Sequence, residues 1–130
     1  MIAVWICLLL AQIPDSVSNE PVAEKRYQLA LVEAGKILAS AKDNDPQKSL
    51  ESAAELTEFA LTTIESMGKP PHKNATNYKK IELRTREFLR RAEAIRKEAG
   101  IDERPSLEAA FNRINAVHEK VLEGVMSKKP

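Results

Sequence analysis

Aromatic residues make up only 5% of this 130-residue chain: one Trp, two Tyr and three Phe. Cysteine occurs once, at Cys7, and glycine four times, never clustered. Each shortage removes a class of function. One thiol cannot build a disulfide framework or a cysteine-ligated metal site. Scattered glycines leave no phosphate-cradling loop, and neither Gly-x-Ser-x-Gly nor His-Glu-x-x-His occurs. Twenty basic residues against 19 acidic ones give a net charge of +1, which is no footprint for a polyanion. What remains is rich in Ala, Leu, Glu, Lys and Arg, a composition that favours helices over sheet.

Long hydrophobic runs are also missing, with one exception. Ile2 to Ala11 are ten apolar residues in a row, followed by Gln12, Pro14, and small side chains at Ser16 and Ser18. Ten residues are half of the roughly 20 that a membrane-crossing helix needs. The pattern predicts an export signal over residues 1–18, cleaved after Ser18, and a domain over residues 19–130 with no transmembrane segment. No Lys or Arg precedes the run, so either the true start lies upstream or the free amine carries the positive charge. The competing reading is a buried N-terminal helix. Cys7 follows Trp5 and Ile6 rather than small residues, which argues against lipidation. Processing would leave a domain without cysteine.

Four amphipathic stretches follow, with apolar residues recurring at spacings of 3 and 4. The first runs from about Pro21 to Lys42, with Ala23, Tyr27, Ala30, Ala34, Ile37 and Ala41 in line. "DNDP" (Asp43 to Pro46) ends it and opens the second, with Asp45 as N-cap and Pro46 at the first helical position. The second aligns Leu50, Ala53, Thr57, Ala60, Ile64 and Met67, and stops at Gly68. The third aligns Tyr78, Ile81, Thr85, Phe88, Ala92, Ile95 and Ala99. The fourth aligns Leu107, Phe111, Ile114, His118, Val121 and Val125. Similar lengths and short connections predict an all-α fold, an antiparallel up-down-up-down four-helix bundle.

The last two stretches, "YKKIELRTREFLRRAEAIRKEAGIDERPSLEAAFNRINAVHEKVLEGVM", resemble the C-terminal half of an uncharacterised family of small, apparently secreted, all-helical bacterial proteins. The resemblance implies an exported protein, periplasmic or extracellular, in a bacterium. It brings no catalytic or binding residues with it.

Three features invite a functional reading. Opposite the apolar seam of the third stretch, Lys79, Arg86, Arg90 and Lys97 form a basic stripe about 27 Å long. Glu82, Glu87 and Glu93 stand four residues before Arg86, Arg91 and Lys97, the order that stabilises a solvated helix. The stripe therefore reads as a wet face, with weak electrostatic polyanion binding as an alternative and no specific nucleic-acid recognition. His118 lies on the apolar side of the fourth stretch and reads as a histidine at the core edge. The alternative is a haem- or metal-binding periplasmic bundle, because Met67, His72, Tyr78 and His118 fall at one bundle end. No Cys-x-x-Cys-His and no Glu-x-x-His accompany them, so no metal or cofactor is expected. "NAT" (Asn74 to Thr76) is a glycosylation sequon whose use depends on the host.

The third feature is apolar surface beyond what the seams need. Val22, Leu29 and Val32 lie off the first seam, and Leu56 and Phe59 lie off the second. Among such positions the third stretch contributes only Leu83. These residues predict a non-catalytic helical binding or assembly module. Its interface would centre on Leu29, Val32, Leu56 and Phe59 and meet a protein partner or a second copy.

Overall fold

The structure, a computed structural model, describes residues 13–102 and 104–126. Most of the expected leader, with Cys7, lies outside them. Among the described residues there are five α-helices and no strand: α1 (Asp15–Ser18), α2 (Ala23–Ala39), α3 (Pro46–Glu65), α4 (Ala75–Glu98) and α5 (Arg104–Met126). Short 3-10 turns at Ala41–Asp43 and Pro71–Lys73 precede α3 and α4. None of the helices is long and apolar enough to cross a membrane.

Local chemistry sets the helix limits. Asp45 caps α3 as its sequence predicts, its carboxylate accepting from the Gln47 and Lys48 amides at 3.0 and 3.4 Å. Pro46 follows at the first position, where a missing N–H costs nothing. Beyond α3, Gly68 takes φ +75°, a left-handed conformation that a side chain would strain.

Side-chain pairs fix how the helices lie. Tyr27 near the start of α2 bonds Asn77 near the start of α4, and Lys42 beyond α2 pairs with Glu98 at the end of α4. α2 and α4 therefore run side by side in one direction. Arg113 of α5 holds Glu55 and Glu58, and Lys120 holds Glu65, so α3 and α5 also run in parallel. Within the pair α4–α5 the order reverses, Glu82 meeting His118 and Arg96 meeting Glu108. Two of the contacts between hairpins thus join helices of like direction, α3 with α5 and α2 with α4, while α3 also meets the antiparallel α4. α3 touches all three other long helices, whereas α2 and α5 barely meet.

That position explains what α3 buries. Besides the expected Leu50, Ala53, Thr57, Ala60 and Ile64, it buries Ala54, Leu56, Leu61 and Thr63. At 100° per residue they cover an arc of about 180°. Two threonines sit deep in the core, and their hydroxyls donate back one turn, Thr57 to the Ala53 carbonyl at 2.7 Å and Thr85 to that of Ile81 at 2.9 Å. No buried polar side-chain atom is left unpartnered among the described residues.

On α5 the buried seam is Leu107, Ala110, Ile114, Val117, Val121 and Gly124. Phe111, His118 and Val125, expected in line, stand at its edge. Small residues decide the rotation. A Cβ on Gly124 would lie 2.7 Å from the Tyr78 ring and 3.2 Å from Pro71, so only glycine lets α5 approach α4 this closely. On α2 the seam likewise takes Leu31 and Leu38 and leaves Ala23 and Ile37 half-buried. At the N-terminal side, α1 packs on α2 and buries Val17, which is 3% exposed. The end of the expected leader is thus folded onto the domain in the intact chain.

Candidate interaction surface

α2 and α4 leave a groove of about 380 Å³ between them, lined by Tyr27, Gln28, Leu31 and Val32 from α2 and by Lys80, Leu83 and Arg84 from α4. Val32 and Leu83 on its lip are 39% and 52% accessible, and Leu29, one turn before Val32 on α2, is 39% accessible. Along α2 the residues Lys25, Leu29, Val32 and Lys36 follow at spacings of 4, 3 and 4, so two apolar side chains stand between two cations on one stripe. Lys80 and Arg84 flank Leu83 from α4. None of the ion pairs among the described residues involves Lys25, Lys36, Lys80 or Arg84. The surface is therefore apolar in the middle, with cations beside it that form no ion pair among the described residues.

A buried polar chain holds the groove's floor. The Tyr27 hydroxyl donates to Asn77 Oδ1 at 2.6 Å, and Asn77 Nδ2 donates to Asn74 Oδ1 at 2.7 Å. The Nδ2 groups of Asn74 and Asn77 also face Met67 Sδ at 3.7 and 4.0 Å. Burial pushes the Tyr27 phenol above its ordinary pKa, so it stays protonated and keeps donating. This chain ties the starts of α2 and α4 and the end of α3 together. It also decides the sequon: Asn74 is 6% exposed with its amide engaged, so a glycan on Nδ2 is incompatible with this fold.

The expected interface is half corrected. Leu29 and Val32 are exposed, but Leu56 is wholly buried and Phe59 half-buried against the core. Leu56 belongs to the wide arc that α3 turns to its neighbours, and Phe59 packs at the margin of that arc. Leu83 takes their place, brought beside Val32 by the parallel run of α2 and α4. Its signal in the sequence was plain, a lone large aliphatic on a charged face, but its pairing with α2 depends on topology.

Two of the four residues of the basic stripe on α4, Arg86 and Arg90, are neutralised. Arg86 forks onto Glu82 at 2.7 and 3.0 Å, Arg90 pairs with Glu87 at 2.5 Å, and Arg91 shares that carboxylate. The expected Glu93–Lys97 pair gives way to Glu93–Arg96 at 2.6 Å, because Arg96 leans over the Phe111 ring at 4.8 Å. Lys79 and Lys97 are exposed and lie outside these pairs.

His118 has a specific partner. Its Nε2 lies 3.0 Å from Glu82 Oε2, and Glu82 is 4% exposed between α4 and α5. Burial pushes the Glu82 carboxyl up, but hydrogen bonds from His118 and Arg86 outweigh it and hold the group below the usual carboxylate range. Both carboxylate oxygens are thereby occupied. Met67 is turned to the asparagines, and His72 sits half-buried on the turn before α4. Among the described residues no three His, Cys, Asp or Glu side chains are grouped to hold a metal.

On the other side, Arg113 clamps α5 to α3. It donates to Glu58 at 2.5 and 3.1 Å and to Glu55 at 2.7 Å. Glu58, with Glu55 beside it, holds this guanidinium in its charged form, above its ordinary pKa. No family of known proteins, no curated protein and no solved structure matches this chain.

Proposed function

We propose that this chain is a non-catalytic helical binding module whose contact surface is the α2/α4 face. One observation carries the reading: Val32 and Leu83 stay exposed across one groove with Leu29 a turn away on α2, beside four cations that form no ion pair among the described residues. Fully burying a Leu or Val is worth roughly 1.5–3 kcal/mol, so three such side chains sustain a specific association. The two hairpins would form one four-helix bundle that serves as the rigid support. Export from a bacterium, with removal of residues 1–18, belongs to the same proposal. It rests on the apolar run, and it would strip Val17 from the core.

A photo-reactive residue placed at Leu83 tests the surface against the same residue at exposed Ala116 on α5. In the native host, crosslinks to a discrete partner are expected from position 83 and not from 116. Equal crosslinking from both positions, or none from 83, refutes the assigned face.

A further inference from the structure

Resting on that reading, we propose that the groove receives an amphipathic α-helix of a partner protein, with an apolar stripe flanked by Asp and Glu. The occupant follows from shape and charge together. The groove is a trough between two side-by-side helices, its floor formed by buried Tyr27 and Leu31. A helix lays a ridge of side chains at i, i+3, i+4 and i+7 into such a trough. A flat bilayer surface reaches only the lip, Leu29, Val32 and Leu83. Lys80 and Arg84 line the α4 wall, and Lys25 and Lys36 lie along the α2 stripe of Val32, with no ion pair to any of them among the described residues. Acidic side chains on both flanks of the incoming helix would meet both walls.

The same charges argue against other occupants. A second copy docking through this face about a two-fold axis would bring the four cations onto their own images, a costly juxtaposition. A single-stranded nucleic acid would want exposed aromatic rings to stack on, and the groove's only ring, Tyr27, is buried.

The probe is a labelled peptide of about five helical turns, roughly 18 residues, with leucines at i, i+3, i+4 and i+7 and glutamates flanking them. Its anisotropy with the full chain is measured beside three comparators: the same peptide with Lys for Glu, a scrambled peptide, and vesicles containing anionic phospholipid. Saturable binding of the acidic helix alone is expected, weakened about tenfold or more by Lys80→Glu with Arg84→Glu. Lys48→Glu with Lys69→Glu, neither of which lines the groove, is expected to leave it within about twofold, once circular dichroism shows all variants equally helical. Equal binding of the Lys-flanked or scrambled peptide overturns the acidic-helix assignment and leaves the binding face standing. Binding to vesicles with none to peptides overturns it in favour of a membrane surface. No binding to any probe overturns it too, and the binding-face reading falls with it only if crosslinking from position 83 is also absent.

Discussion

The molecule contains two pairs of parallel helices, and they are treated in opposite ways. α3 and α5 meet over an extensive contact and are riveted by Arg113 to Glu55 and Glu58 and by Lys120 to Glu65. α2 and α4 meet far less, at a polar chain near their starts and at Gly35 against Phe88, and leave a groove above. Acids and bases on the first pair satisfy each other; on the second pair the cations of the rim are left over. Charge spent inside the molecule stabilises the fold, whereas charge left uncompensated beside apolar surface is available to something else. The contrast even divides α4, where consecutive residues Glu82 and Leu83 are respectively sealed against α5 and open beside α2.

The largest effect should come from placing the same charge on the two sides. Leu56→Glu buries a carboxylate without a partner on the packed side of α3, where Leu56 is wholly buried, and about 4 kcal/mol or more of stability should be lost. Val32→Glu, on the open face, should stay within about 0.5 kcal/mol. Chemical denaturation of both variants checks this. Similar losses at the two positions would erase the distinction between a structural and an available face.

Next in size is Glu82. Its folded-state pKa is lowered, so it contributes stability that is present above the ordinary carboxylate pKa and is lost as pH falls through the folded value. Glu82→Gln should cost about 2 kcal/mol at neutral pH, since His118 and Arg86 lose their charged acceptor. Melting curves of wild type and variant should then converge as the pH drops below about 4.5. A constant gap down to the acid limit would show that the carboxylate's charge is irrelevant to the α4/α5 seam.

Much of the architecture was legible in the sequence, and the failures are instructive. The four long helices and the Asp45–Pro46 cap follow from periodicity and local chemistry, which need no knowledge of neighbours. The α5 face was misjudged by about half a residue spacing, because Phe111 and Val125 outweigh Ala110 and Gly124 in size and hydropathy, and the line through them takes in His118 instead of Val117. Packing selected the smaller set, since the closest approach of α5 to Tyr78 depends on having no side chain at position 124. Leu56 was assigned to the surface because a seam of ordinary width suffices for a helix with two neighbours; α3 has three. Leu83 was visible but isolated, and only the parallel alignment of α2 with α4 gives it Val32 as a companion. His118 fell on the correct side of α5, yet its partner Glu82 is 36 residues away and no spacing rule points to it.

The smallest effect isolates the electrostatic half of the comparison. Arg113 and Arg84 are both arginines on helix surfaces, but only Arg113 has carboxylate partners. Arg113→Ala removes three hydrogen bonds and leaves Glu55 and Glu58 side by side on α3 without a counter-charge. The pair is partly exposed, so the loss should be about 1 kcal/mol rather than the several expected of a buried bridge. It should shrink as salt rises toward 1 M, where the screening length falls to about 3 Å and both the lost attraction and the new repulsion fade. Arg84→Ala removes no ion pair, so thermal denaturation should show no loss at either salt concentration. Its stability should even rise slightly at low salt, because one member of a cationic cluster is gone. A salt-dependent loss at Arg84 matching that at Arg113 would mean that Arg84 already has a counter-charge in solution, and the α2/α4 rim would then have little attraction left to offer an acidic helix.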